Sequence, residues 1–499
     1  MGCNQSTIKE PEAAVLVEDD EPKKMSAVGA TERLVSRAHR IQAKINNNGS
    51  SSEVKAPPKL DECGNLMIEE IVRRTNSSIF TETMTLGTKE YPIHVKYAQW
   101  TQRGYYPDDP HKENQDEYRV QNPFTNSDRD AMLAVYDGHG KQGHACARYA
   151  KKHLGKCVEK QVRLARVKKY KDELRAAGSP ESKVFDPHKW PYLNADEYKV
   201  CCEKAFAECN QQMHASPDAN DKLSGTTAIT VHFHGNQMIV CNVGDSRAVL
   251  GHWVSDGTGN PDEEEKTEIG NEAPERPRQN DRNKTFPSQG GKMLAIPLSL
   301  DQTPYRQDER ERVKKAGAAV MSIDQMEGKE EIHEHWGDMV LGEDLDIHGD
   351  PPRIWIPGEK YPGTAFTRSL GDRLAKDIGV TAEPEILAKQ LTLNDHILIV
   401  ASDGIFEFIT NQEAIDMCLA CDSPLHACEA LVKAAYDQWL TYENRTDDIT
   451  LIVCFLSVEK PVPENGEEGT TEDLVALAST MYGEKPHRKR ANSVFKSDL

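Results

Sequence analysis

The chain carries four short runs of apolar residues, and each one is bounded at one end by the same kind of punctuation. Met132 to Tyr136, Ile239 to Val243, His396 to Ser402 and Ile449 to Leu456 are the most apolar stretches, each only a few residues long. Runs of this length and composition read as strands. Tyr91 to Trp100 reads as a first strand, and Tyr118 to Val120 as a short one. Thr226 to Phe233 alternates and turns at His234-Gly235-Asn236 into Gln237 to Val243, which reads as a hairpin. Arg247 to Gly251 continues as a third strand. Helical patterning occupies 142–213, interrupted at Gly178 to Pro191 by Pro and Gly. It returns at Asp308 to Ala316, with Gly317 as a C-cap, and at Asn411 to Thr441. Asp256 to Gly291 is acidic and poor in apolar residues, which predicts a mobile insertion. From Gly317 to Pro362 the pattern is irregular.

The punctuation is acidic. Met132 to Tyr136 runs into Asp137-Gly138-His139-Gly140, Ile239 to Val243 into Gly244-Asp245, and His396 to Ser402 into Asp403-Gly404. Asp447-Asp448 stands at the start of the last run. One Asp-Gly pair is more often a turn than a site. Four carboxylate sites at the ends of the most apolar strands are costly to bring together unless a cation neutralises them. Asp side chains and backbone carbonyls, without paired His or Cys, suit a hard cation such as Mg²⁺ or Mn²⁺. Two such ions roughly 4 Å apart can activate water and clamp phosphate oxygens. His139 would then be a natural proton donor to a leaving alcohol.

With these residues in view, the chain resembles the metal-dependent serine/threonine protein phosphatases of type 2C. In order, the matching pieces are Lys112-Glu113-Asn114-Gln115-Asp116, Asp137-Gly138-His139-Gly140, Ser224-Gly225-Thr226-Thr227-Ala228 and Gly244-Asp245-Ser246-Arg247. Thr367-Arg368-Ser369-Leu370-Gly371-Asp372, Ala401-Ser402-Asp403-Gly404 and Asp447-Asp448-Ile449-Thr450 follow, and Glu383-Pro384-Glu385 also fits. The resemblance implies an α+β fold, a four-layer α-β-β-α sandwich of two antiparallel sheets flanked by helices. It implies that Asp137 bridges two ions, that Asp403 and Asp447 complete one of them, and that the Gly138 carbonyl serves the other. Asp116 would hold the attacking water, which reaches phosphorus directly, and His139 would protonate the departing serine or threonine oxygen. Asp245 with Glu407 would serve a third, looser ion. Three positions depart from the family's pattern: Gln115, a neutral candidate metal ligand, stands where an acid is frequent, His111 where a phosphate-binding Arg is frequent, and Glu407 where Asp is usual. Lys112 is the candidate to share phosphate binding with His111, though not bidentately. Two other readings stay open on the sequence: a catalytically silent relative acting as a membrane-tethered scaffold, and another kind of two-metal hydrolase.

Composition adds limits. At 499 residues, length allows one large domain or several. The net charge of −20 argues against nucleic acid as a partner of the chain as a whole. Twelve Cys show no disulfide or zinc spacing; Cys418-Leu419-Ala420-Cys421 is a lone pair, so reduced thiols are the simpler reading. Phosphorylated proteins are the expected substrates, and a monomer is expected.

The division expected is an N-terminal arm over 1–85, a catalytic body over 86–458 with the insertion at about 256–291 and a flap at about 317–362, and a tail over 459–499. The arm opens Met1-Gly2-Cys3-Asn4-Gln5-Ser6, which fits myristoylation of Gly2 with Cys3 available for palmitoylation. Basic residues from Lys23 to Lys44 accompany Leu34, Ala38, Ile41 and Ile45 on one helical face. That face would press an acylated terminus onto the inner, anionic face of a membrane, or pack on the body. The expected location is cytoplasmic, at such a membrane. Arg74 precedes Ser77 by three residues and Arg490 precedes Ser493 likewise, so Ser77 and Ser493 are candidate targets of basophilic kinases; solvated basic tails are the plain alternative.

Overall fold

The computed structural model describes residues 81–109, 111–177, 190–255, 286, 290–333 and 350–459. Gly2, Cys3, Ser77, Ser493, the basic segment 23–44 and nearly all of the acidic insertion lie outside the described residues.

Two antiparallel sheets carry the fold. The first has six strands in the order β1-β2-β11-β10-β7-β8. These are β1 (Glu82–Gly87), β2 (Pro92–Gln102), β7 (Arg247–Ser255), β8 (Gly291–Pro297), β10 (Asp395–Ala401) and β11 (Ile449–Val458). The second has five strands, β9-β6-β5-β4-β3. They are β3 (Glu117–Gln121), β4 (Ala131–Tyr136), β5 (Ala228–His234), β6 (Gln237–Val243) and β9 (Glu385–Gln390). Helices α1 (Gly143–Ala176) and α2 (Ala195–His214) cover the five-stranded sheet, and α4 (Asn411–Leu419) and α5 (Pro424–Tyr442) cover the six-stranded one. Helix α3 (Gln307–Lys315) belongs to a smaller unit described below.

The apolar runs are continuous because both faces of these strands are buried. In β4, Met132, Ala134 and Tyr136 pack toward α1 and α2, while Ala131, Leu133 and Val135 pack between the sheets. In β10, Ile397, Ile399 and Ala401 face α4 and α5, while Leu398 and Val400 meet the opposite sheet. The helices start where the sequence supplies caps. Asn194 with Glu197 and Thr410 with Glu413 form capping boxes, and Ser423 caps α5 ahead of Pro424.

Several boundaries differ from the sequence reading. The body begins by Glu82, because β1 pairs with β2 along its whole length. Its alternating half-buried pattern, Glu-Thr-Met-Thr, hid an edge strand in what read as the arm. Gly291, expected to close the insertion, opens β8. Thr226 belongs to a two-residue strand ahead of β5, and the hairpin turns on Gly235 at φ +59°. The helical run 411–441 is two helices, broken where Asp422 and Ser423 precede Pro424.

The flap is also more regular than expected. Ala319–Met321, Arg353–Trp355 and Pro362–Thr364 form a three-stranded sheet. With α3 they close a small core of Val313, Val320, Ile354, Ala375, Ile378 and Val380. Strands of three residues are too short to leave a readable alternation.

Candidate active site

Strand register gathers the acids. Glu117 of β3 pairs with Tyr136 of β4, which sets Asp116 beside Asp137. Ala401 of β10 pairs with Leu451 of β11 and with Arg247 of β7, which sets Asp403 beside Asp447 and Asp448 on one side and near Asp245 on the other. All these turns leave their sheets at one end. Two hydrogen bonds tie the sheets together there: Ser402 Oγ donates to Asp116 Oδ2 at 2.9 Å, and the Gln115 amide donates to Asp448 Oδ2 at 2.8 Å.

The electrostatics are those of anions crowded together. Burial, then Asp448, push the Asp116 carboxyl well above its usual range. Burial, then Asp116, Asp403 and Asp447, do the same to Asp137. Asp245 is raised by burial, Asp403 and Asp301, with Glu407 adding to it; Asp403 and Asp448 are raised by burial and Asp447. Asp116 Oδ1 and Asp403 Oδ1 are shielded from solvent and have no hydrogen-bond partner. Groups like these fit a divalent hard cation, which would supply both the missing charge and the missing partners.

The turn after β4 is built tight. A Cβ on Gly138 would lie 2.5 Å from both the Gln115 and the Gly143 carbonyl oxygens, so only glycine fits there. Gln115 Nε2 donates to the Gly140 carbonyl at 2.7 Å, so the residue that replaces an acid braces this turn.

His139 is held on the far side of the turn. Its Nε2 lies 2.6 Å from Asp372 Oδ2, its ring packs on Phe366 at 4.3 Å, and its Nδ1 has no hydrogen-bond partner. Asp372 is buried at φ +49° and also accepts from Ser369 Oγ at 2.6 Å. Burial alone would raise the Asp372 carboxyl, but His139, then Lys376, outweigh it and hold it below the usual range. Burial pulls the neighbouring Lys376 amine down to about 8.

At the mouth, Tyr106 donates to Asp447 Oδ1 at 2.5 Å. Lys112 lies over the Tyr106 ring at 3.8 Å and 3.9 Å from Asp447 Oδ1, and Arg103 bonds the Lys112 carbonyl oxygen. His111 is exposed on the same loop, and Glu407 is exposed after the short helix Asp403–Phe406.

Asp372, Ser402, Asp448 and Tyr106 shape the site and were not singled out from sequence for roles. Ser402, Asp448 and Asp372 sit inside recognised motifs, which was the available signal. Tyr106 had none. Arg247, by contrast, serves the scaffold: it grips Asp301 at 3.0 and 2.6 Å and Asn411 at 3.0 Å.

The family model for protein phosphatase 2C matches residues 109–258 and 288–441, a span that holds Asp116, Asp137, His139, Asp245, Asp372 and Asp403. The chain belongs to the protein phosphatase 2C family. It is 38% identical over 372 residues to "Probable protein phosphatase 2C 35" of Arabidopsis thaliana, covering 74% of this chain and 86% of that one. It is 28% identical over 342 residues to "Probable protein phosphatase 2C 64" of Oryza sativa subsp. japonica, covering 68% and 62%. A solved serine-threonine phosphatase 2C from Toxoplasma gondii superposes with a TM-score of 0.48 at 16% identity, over 76% of this chain and 99% of that one. As a protein phosphatase 2C the chain is a protein serine/threonine phosphatase of a metal-dependent family, with an α+β fold.

Proposed function

We propose that this phosphatase hydrolyses phosphoserine and phosphothreonine in proteins by direct attack of water, with no phosphoenzyme. The observation that carries the reading is the pairing of a self-repelling carboxylate cluster, two of its oxygens buried and unpartnered, with an imidazole held by a buried carboxylate. Asp137, Asp403, Asp447 and the Gly138 carbonyl would hold two Mg²⁺ or Mn²⁺ ions, and Asp245 with Glu407 a third. When bound, these supply charge neutralisation for the phosphoryl oxygens and a more acidic water.

The chain's own residues do the rest. Asp116, fixed through Oδ2 by Ser402, offers Oδ1 to orient the water and accept from it. Asp372 engages His139 Nε2, which leaves the unpartnered Nδ1 as the atom to deliver a proton to the departing serine or threonine oxygen. Lys112, steadied over Tyr106, meets the incoming phosphoryl charge as a point cation, with His111 further out on the loop. Gly2 and Cys3 are proposed as acylation sites that tether the enzyme to a membrane.

The test is an assay on a phosphothreonine peptide with Mn²⁺ or Mg²⁺, with EDTA, and with Asp137→Ala. Turnover that requires the metal and disappears in the folded variant supports the reading. A folded wild-type protein inactive under every metal overturns it.

A further inference from the structure

The helix-facing side of β5 is polar where the layer around it is apolar. Thr230, His232 and His234 are buried there, alternating with Ile229, Val231 and Phe233, which fill the space between the sheets. A buried polar group is costly unless it is satisfied, so each of the three needs a reason. His234 has one: its Nδ1 meets Asp130 Oδ2 at 2.9 Å and its Nε2 meets the Leu193 carbonyl at 3.1 Å, which anchors the segment leading into α2.

Thr230 and His232 face thiols instead. Register sets Thr230 opposite Cys241 of β6, and α2 brings Cys202 to the same point. The sulfurs of Cys202 and Cys241 and one ring nitrogen of His232 lie within 4.8 Å of one another, all three residues being buried. Zn–S bonds of about 2.3 Å put the sulfurs of a tetrahedral site roughly 3.8 Å apart, inside that spread. Thr230 Oγ1, 2.9 Å from His232 Nε2, adds a fourth donor. His232 Nδ1 faces the buried Tyr198 hydroxyl at 3.4 Å, the kind of outer contact that fixes the tautomer of a ligating imidazole. Burial and the contact with Cys241 push the Cys202 thiol well above its usual range, while hydrogen bonds with Cys202 and His232 outweigh burial at Cys241 and draw it below, so the pair as it stands holds one thiol proton that an ion would have to displace.

We propose that Cys202, Cys241 and His232, with the Thr230 hydroxyl, form a structural zinc site that pins α2 to β5 and β6. Charge favours Zn²⁺ over Cu⁺ in so dry a place. Two thiolates neutralise a divalent ion, with the pair's thiol proton passing to solvent on binding, whereas Cu⁺ would leave a buried negative charge. Because the donors are enclosed, the ion enters with folding. The site is distinct from the carboxylate cluster, whose described ligand candidates include no cysteine.

The test uses the full chain expressed with zinc, and separately with cobalt, in the medium. Elemental analysis is expected to find about one zinc per chain, retained in Cys157→Ser and lost in Cys202→Ser and in Cys241→Ser. The cobalt form is expected to show thiolate-to-cobalt charge-transfer absorption, which carboxylates cannot produce, absent from the same two variants. Since wild-type spectra read the site directly, poor folding of a variant does not blunt the test. Copper in place of zinc, with the same dependence on Cys202 and Cys241, keeps the site and replaces the ion. Zinc that survives both substitutions, no thiophilic metal at all, or a Cys202–Cys241 disulfide in the metal-free protein overturns the proposal.

Discussion

Two carboxylate clusters in this molecule obey opposite electrostatics. At the sheet ends, Asp116, Asp137, Asp245 and Asp403 repel one another, and all are pushed upward by burial and by their neighbours. On α3, Glu309 is equally hidden, yet Arg368 contacts it at 2.7 Å and Arg312 at 2.5 Å, and Thr367 donates to it. Burial would raise Glu309 too, but these donors prevail and hold it at about 2. Glu385 is lowered in the same way by Arg306. One cluster brings its own cations and braces the flap. The other crowds like charges together, as the proposed ion site requires, and that asymmetry separates a candidate site from a strut.

The comparison can be broken at its strongest point. Asp137→Ala is expected to lower kcat on the order of 10³-fold. It should also abolish the rise in Tm that Mn²⁺ gives the wild type, a rise worth about 2.7 kcal/mol at a hundredfold excess over Kd. If the variant keeps that rise, the cluster is not the ion site. Asp372→Asn is next. It leaves the shape but removes the charge that holds His139, and kcat should fall by roughly 10²- to 10⁴-fold with KM little changed. A fall in KM alone would count against His139 as the acid.

The braced cluster should respond in stability instead. Arg368→Ala leaves Glu309 buried with fewer partners and is expected to cost about 3–5 kcal/mol in denaturant unfolding, while activity per folded molecule changes less than in Asp372→Asn. Glu309 also predicts a pH dependence. Its folded carboxyl sits at about 2 against an ordinary 4.5, so its stabilisation is complete above about 4.5 and is lost as pH falls toward 2. Glu309→Gln should flatten that acid limb of a Tm-versus-pH curve. The smallest effect expected is from Gln115→Ala, which removes one brace on the Gly140 carbonyl at roughly 1 kcal/mol. A larger loss in metal affinity than in stability would make Gln115 a ligand rather than a brace.

Much of the site was legible in the sequence because the acids sit where apolar strands stop, and a strand end is a visible change of pattern. Asp137, Asp245 and Asp403 stand out that way, Asp447 stands out at a strand's start, and register then explains why they meet. What escaped notice depends on distance in the chain. Tyr106 reaches Asp447, and Asp372 reaches His139, across hundreds of residues that leave no local periodicity. The braces on Glu309 come from Arg312, on its own helix, and from Arg368, far along the chain; one looks like a solvated helix face and the other like part of a motif. β1 escaped because an edge strand is half polar by necessity, and the flap because its strands are shorter than any pattern.

The placement of β11 has a consequence for how this protein is made. The last strand of the body does not lie at an edge but between β2 and β10, and Asp447 stands just before it. On the ribosome, β2, already paired with β1, therefore waits for its second partner more than 300 positions downstream, and no nascent fragment ending before β11 can have a closed central sheet. Assembly of so non-local a pairing is intrinsically slow and leaves apolar strand edges bare in the meantime. The central sheet therefore closes only once β11 has been made, and a premature stop within that strand should yield a chain for the proteases rather than a weak phosphatase.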